Sequence, residues 1–246
     1  MSKYYRYFKK LYTKEQEAFY KKIKEALKNN KKEFIMTANP ETFNYATIDE
    51  EISKMILDKN VIVVPDGIGV VKAAKMFNID VKERIPGVEI AEKLLEYANE
   101  YKKSVYFFGS KQEVLEALKE KLIKNYPNIK IAGLTNGYVE NKEAEYKKII
   151  KKKPDVVLVA LGIPAQEKLI YKYLSNFDKG IFVGVGGSLD VLSGTKKRAP
   201  KVFQKLNIEW LYRLIKEPKR IKRFWNNNVK FILQIRKEAK KKWKIT

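Results

Sequence analysis

The chain has no histidine and no cysteine. Without cysteine there are no disulfides, thiol nucleophiles or thiolate metal sites. Without histidine, Ser-His-Asp catalysis and imidazole zinc sites are excluded, and any proton transfer falls to Asp, Glu, Lys or Tyr. Acidic residues are scarce beside basic ones: 29 Asp and Glu against 52 Lys and Arg, a formal net charge of +23. Such an excess asks for an anionic partner, be it nucleic acid, anionic lipid or a phosphorylated substrate. Long apolar runs are missing too. Stretches such as Val156 to Ala165 fall far short of the roughly 18 residues that a membrane-spanning helix needs. The N-terminus, MSKYYRYFKK, is basic, but no apolar run comes after it, so it does not read as a signal peptide. The expectation is a cytoplasmic chain whose contact with any membrane is peripheral.

What is present suffices for one large domain, or a domain with an appendage: 246 residues, 45% of them hydrophobic. Residues 1–33 read as a lysine-rich helical segment. Thr13 and Gln16 fit a capping box, and Leu11, Phe19, Ile23 and Leu27 form an apolar stripe. From residue 34 short apolar runs recur: 34–36, 61–64, 105–108, 129–132, 156–160 and 181–185. Helix-period stretches lie near 48–58, 68–77, 88–102, 111–124, 141–151 and 165–175. This alternation predicts an α/β fold, a mostly parallel sheet flanked by helices, as a Rossmann-like core over 34–207. Strands stop after Pro200. Residues 208–246 read as a basic amphipathic helical appendage broken at Pro218; thirteen Lys and Arg against three Glu place much of the excess charge there.

In an open parallel sheet, ligands bind beyond the carboxyl ends of the strands. The residues just after each apolar run are therefore informative: Thr37-Ala38-Asn39-Pro40, Pro65-Asp66-Gly67, Gly109-Ser110, Asn136-Gly137-Tyr138, Gly162-Ile163-Pro164-Ala165-Gln166 and Gly186-Gly187-Ser188-Leu189-Asp190. Asp66 is the candidate general base, although Asp before Gly is also ordinary turn chemistry. Thr37 and Asn39 are neutral hydrogen bonders, with strand-end capping as the plainer role. The Gly186-Gly187-Ser188 loop matches neither G-x-G-x-x-G nor the P-loop pattern. Arg84 and Arg198, in loop contexts, offer bidentate guanidinium geometry to a diphosphate. No Asp-x-Asp element is present, so no metal site is expected; Asp49-Glu50-Glu51 reads as the acidic first turn of a helix behind Thr47. In the appendage, Arg213, Lys216, Arg220 and Arg223 are spaced three or four apart. An apolar side that includes Trp210 and Trp225 suits either an anionic membrane surface or packing on the core.

These pieces, in order, resemble the WecG/TagA/CpsF family of bacterial glycosyltransferases. The matching segments are Thr37–Pro40, Pro65–Val71, Glu83–Gly87, Tyr126-Pro127, Asn136–Tyr138, Leu161–Glu167, Val185–Asp190, Lys197–Pro200 and Glu209–Leu214, spread over roughly residues 34–225. No single segment is specific; the ordered set is. The resemblance implies a metal-independent, inverting transfer without cofactor. The donor would be UDP-N-acetylmannosamine and the acceptor N-acetylglucosaminyl-diphospho-undecaprenol, a polyprenyl-diphosphate-linked sugar, in synthesis of the teichoic acid linkage unit. It casts Asp66 as the base, Thr37, Asn39 and Gln166 as substrate positioners, and Arg84 as a diphosphate ligand. Tyr138 with Gly186, Gly187, Ser188 and Asp190 would face the nucleotide or donor sugar. Arg213, Arg220 and Arg223 would arrive with the appendage, and the enzyme would sit at the inner face of the cell membrane. The lysine-rich helical segment before residue 34 departs from the family, which opens with short strands.

Three other readings stay open. One keeps the family and changes the donor to another UDP-sugar, N-acetylmannosamine uronic acid or glucose. Another is a basic nucleic-acid-binding module, although no helix-turn-helix, zinc-finger, RRM or KH signature supports one and no nucleic acid is expected. The third is a nucleotide-binding regulatory domain whose tail docks a partner. A homo-oligomer is also left open, because an appendage that closes only at the membrane would leave the soluble site incomplete.

Overall fold

A computed structural model describes residues 2–243, with the side chains of Arg220 and of residues 241–243 outside that description. The elements run α1 (Lys3–Phe8), α2 (Gln16–Lys28), β1 (Lys32–Ala38), α3 (Pro40–Ile48), α4 (Glu50–Leu57), β2 (Val61–Pro65) and α5 (Ile68–Lys75). Next come α6 (Gly87–Glu100), β3 (Ser104–Gly109), α7 (Gln112–Asn125), β4 (Lys130–Thr135), α8 (Lys142–Lys152), β5 (Val156–Ala160), α9 (Ala165–Tyr173) and β6 (Gly180–Gly184). The chain ends with α10 (Ser188–Ser193), α11 (Lys201–Lys205), α12 (Glu209–Lys216), α13 (Ile221–Phe224), a π-helical turn (Trp225–Val229) and α14 (Lys230–Trp243).

All six expected strands form, and they make one sheet in the order β2-β1-β6-β5-β3-β4, parallel at every pairing. Alternation of side chains sorts the strands' apolar residues between two faces. Phe34, Met36, Val157 and Val159 point to one core, which α1, α3, α4, α5, α8, α9 and α14 cover. Ile35, Val156, Leu158 and Val183 point to the other, covered by α2, α6, α7 and α10. The chain thus leaves β1 and β5 towards the first face and β6, which lies between them, towards the second. Such a reversal opens a crevice beyond the carboxyl ends of these strands.

Two helix starts differ from their sequence expectation. The helix expected near 48–58 forms as α4, but its cap is Asp49, which takes an extended backbone and accepts from the N–H of Glu51 and Ile52, and not Thr47, whose hydroxyl donates to Asn44 O. The helix before it, α3, starts at an Asn39–Thr42 capping box with Pro40 in its first turn. Thr13 does not cap α2. The helix begins at Gln16, whose backbone N–H donates to Glu83 Oε1 at 2.6 Å, so the free N–H finds a distant carboxylate instead.

Residues of the N-terminal segment enter both cores: Tyr4, Tyr7, Phe8 and Leu11 the first, Phe19, Ile23 and Leu27 the second. The C-terminal helix α14 docks on α1, where Phe231 meets Tyr4 edge-on with ring centres 5.8 Å apart. Ser2 Oγ bonds to Glu238 at the same junction. The apolar side of the appendage is therefore divided. Phe231, Ile235 and Ala239 are buried, whereas Trp210, Ile215, Ile221 and Trp225 are exposed. No described helix is long and apolar enough to cross a membrane.

Candidate active site

Asp66 stands just past β2 at its carboxyl end, and two backbone bonds fix the turn. Its own N–H donates to Ala38 O on β1 at 2.9 Å, and Ile85 N–H donates to Pro65 O at 2.7 Å. The second bond brings the segment before α6 back beneath the turn. There the N–H of Gly87, the first residue of α6, donates to Asp66 Oδ1 at 2.6 Å. Thr37 stands on the neighbouring strand: a Cβ built on Gly87 would lie 3.3 Å from Thr37 Cγ2 and 3.6 Å from Asp66 Oδ1. Desolvation pushes the Asp66 carboxyl above its ordinary pKa. The Gly87 N–H and the charges of Arg213 and Arg84 pull the other way without cancelling it. The result is a carboxylate with raised basicity at the crevice mouth, suited to accept a proton.

The cations next to it come from a network centred on Glu209, the first residue of α12. Arg84 Nη1 donates to Glu209 Oε2 at 2.7 Å, and Arg198 Nε donates to Glu209 Oε1 at 3.1 Å. Arg198 also bonds to Glu89 on α6, and Arg84 Nη2 donates to Gln204 O at 3.3 Å. Burial pushes the Glu209 pKa up, but the two guanidinium partners outweigh it and hold the carboxyl below its usual value. Glu209 thus clamps α12 to the core and fixes Arg84 near Asp66, with Arg198 on its other oxygen bridging to α6. The exposed Arg213, one turn further along α12, reaches Asp66 by its field. Arg223 is paired at 2.8 Å with Glu41, in the first turn of α3 just after β1. The side chain of Arg220 is outside the described residues.

Along the same edge, Thr37 Oγ1 donates to Gly184 O at 2.8 Å and so ties β1 to β6. Asn39 Oδ1 accepts from Thr42 N–H at 3.1 Å and caps α3. Gln166, buried at the start of α9, accepts the Gly186 N–H on its Oε1 at 3.1 Å and so steadies the loop after β6. A Cβ on Gly184 would lie 2.6 Å from Gln166 Nε2 and would displace that carboxamide. Side chains built on Gly67, Gly162 or Gly187 would meet nothing within 4 Å, so the loops after β2, β5 and β6 border open space. Towards β4, Ser110 Oγ approaches Asp190 at 3.5 Å, and Asp190 lies 3.8 Å from Lys196 Nζ. Tyr138, held by an Asn136 turn, leaves 74% of its surface in solvent. Among the described residues no cluster of three or more carboxylates is disposed to hold a metal ion.

The structure therefore brings Asp66, Thr37, Arg84 and Arg213 to one end of the crevice, with Arg198 behind Glu209, and places Gln166 with the Gly186 loop at its middle. Tyr138 belongs to the loop after β4, Ser188 and Asp190 to the first turn of α10, and Arg223 reaches the edge from the appendage through Glu41 at the start of α3. Glu209, Glu89 and Glu167 were missed in the sequence. Glu209 falls inside a matching segment, but no local pattern shows that its partners lie 125 and 11 residues away.

The profile of the "Glycosyl transferase WecG/TagA/CpsF family" matches residues 9–245. An N-acetylglucosaminyldiphosphoundecaprenol N-acetyl-beta-D-mannosaminyltransferase of Bacillus subtilis (strain 168) is 42% identical over 208 residues, covering 85% of this chain and 80% of the relative. The protein of the same name from Bacillus spizizenii is 40% identical, with 80% and 76% covered. That from Staphylococcus aureus (strain MW2) is 42% identical, with 85% and 81% covered. With a parallel α/β core, a basic carboxylate at its ligand edge and a match over nearly the whole chain, this protein belongs to the WecG/TagA/CpsF family of glycosyltransferases.

Proposed function

We propose that this glycosyltransferase moves N-acetylmannosamine from UDP-N-acetylmannosamine to the N-acetylglucosamine of a diphospho-undecaprenol acceptor, with inversion and without a metal. The names of its relatives support donor sugar and acceptor. Support for the chemistry comes from Asp66, whose raised pKa and position at the crevice mouth suit a general base.

In this reading Asp66 removes the proton from an acceptor hydroxyl as its oxygen attacks the anomeric carbon. The new glycosidic bond forms on the face opposite the breaking bond to UDP, which departs with the electron pair. The β-linkage in the relatives' names is what one such displacement yields from an α-linked donor. Negative charge gathers on the leaving diphosphate, and Arg84 and Arg213 are the cations at hand to meet it. Arg198 acts through Glu209 to keep Arg84 in place. Thr37 and Asn39 fix the strand ends around the acceptor, and Gln166 holds the Gly186–Asp190 loop for the donor, with Tyr138 at its rim. The exposed apolar side of α12 and α13, within a strongly cationic protein, rests on an anionic membrane at the cytoplasmic face, where the lipid-linked acceptor is found.

UDP release tests this reading. In EDTA, with both substrates, release should depend on acceptor, and Asp66→Asn should lower kcat by roughly 10²–10⁴-fold. Because the pKa of Asp66 is raised, the rate should climb with pH as its carboxyl ionises. Full activity of the variant would remove Asp66 from the chemistry. Release only with another UDP-sugar would reassign the donor.

A further inference from the structure

Beneath the Gly186 loop lies an ionisable group that the proposed chemistry does not use. Glu167 comes directly after Gln166 on α9, and only 1% of it is exposed. Its Oε1 accepts a hydrogen bond from Gln166 Nε2 at 2.7 Å, while Oε2 has no partner. Both side chains press against β6: a Cβ built on Gly184 would stand 2.6 Å from Gln166 Nε2 and 2.9 Å from Glu167 Oε1. A buried carboxyl with one orphaned oxygen costs stability, and packing alone would be better served by an apolar residue.

The bonds run in series. Glu167 Oε1 accepts from the amide nitrogen of Gln166, and this orientation turns Gln166 Oε1 to the Gly186 N–H. We propose that Glu167 is a positioning residue that sets the orientation of the Gln166 carboxamide and thereby makes the Gly186 loop sensitive to protonation. Resting on the proposed function, this assigns a regulating group to the donor side of that same site.

Ionised, Glu167 can only accept, so Gln166 must present its nitrogen to Glu167 and its oxygen to Gly186. Protonated, Glu167 needs an acceptor. None lies at Oε2, and the carboxamide oxygen of Gln166 comes within reach if the amide turns over. That turn sets an NH₂ against the Gly186 N–H, two donors face to face, and the loop loses its tether. Burial pushes the Glu167 pKa up to about 7, so the change falls near neutrality. The surrounding charges leave room for it. From α3, Glu41 raises the pKa further and is itself paired with Arg223. From α4, Asp49 and Glu51 are both engaged by Lys168. The strands β5 and β6 contain no ionisable residue, and those of β1, Lys32 and Glu33, sit at its far end.

The experiment tracks the side-chain amide resonances of Gln166 in the full chain by ¹⁵N NMR from pH 5.5 to 8.5. It compares the wild type with Glu167→Gln, which keeps the shape and cannot titrate, and with Asp66→Asn. A transition near pH 7 is expected in the wild type and in Asp66→Asn, and none in Glu167→Gln. In parallel, kcat/KM of the wild type relative to Glu167→Gln should fall with pH, approaching tenfold per unit well below pH 7. An unchanging Gln166 signal in the wild type would overturn the proposal, as would a transition that survives in Glu167→Gln. If the transition appears but no UDP-sugar is turned over, the switch stands and the proposed function falls.

Discussion

At the scale of single residues, the pKa values of two carboxyl groups on one crevice are raised by the same physics in different surroundings. Asp66 is desolvated but keeps a backbone donor and two cations within range. Glu167 is enclosed, and only the Gln166 amide and its own backbone N–H pull its pKa down. The second arrangement has a thermodynamic signature. Its folded pKa, about 7, lies above the ordinary 4.5, so the fold favours the protonated form. That contribution to stability is complete below about pH 4.5 and is lost as pH rises through 7. Glu167→Gln should therefore be more stable than the wild type at pH 8, by up to roughly 3 kcal/mol, and no more stable near pH 4.5. Thermal unfolding at the two pH values measures this; the same difference at both would mean that the carboxyl titrates normally. The Gln166-Glu167 pair is visible in the sequence, but burial and an orphaned oxygen are not.

At the scale of elements, the two ends of the appendage are held for two different reasons, with the Arg223–Glu41 pair between them. Its first helix is held by charge, through Glu209 between Arg84 and Arg198. These guanidiniums are about 15% exposed, so removal of the carboxylate should cost less than a fully buried pair, roughly 2–3 kcal/mol. Glu209→Gln should speed hydrogen exchange in α12 while α14 stays protected; equal protection of both would show that the clamp is unnecessary. Its last helix is held by packing. Phe231 is buried among Tyr4, Phe8 and Phe43, and Phe231→Ala should lower unfolding stability by roughly 3–5 kcal/mol in urea titration. Deleting residues 208–246 outright would uncover that aromatic cluster, so a shortened chain would report on core stability as much as on catalysis. The helical N-terminal segment is the other half of this contact, a role that its lysine-rich sequence does not announce.

At the scale of the whole molecule, a +23 chain presents an apolar ridge on its appendage: Ile215 is 63% and Trp225 56% exposed. Trp210 stacks on Phe224 there with ring centres 4.7 Å apart. Charge should bring the protein to an anionic bilayer and the ridge should hold it. Co-sedimentation with phosphatidylglycerol vesicles should weaken at about 0.5 M salt, where screening shortens to a few ångströms. Replacing Ile215 and Trp225 by Ser should weaken it further with the charge unchanged. Binding that ignores both changes would argue against this surface.

The sequence by itself determined the six strands, the switch to helices after Pro200 and the ligand edge. These come from local periodicity and from glycines and polar residues at strand ends, which adjacent residues encode. The ordered motifs determined the family, and the resemblance singled out Asp66, Thr37 and Gln166 as candidates. Only the tertiary structure decided which arginine is held by which carboxylate, which half of the appendage is buried, and that α2 takes its cap from Glu83. These contacts join residues from 11 to 236 positions apart, and their energies depend on burial, which exists only once the sheet has brought the two ends of the chain together.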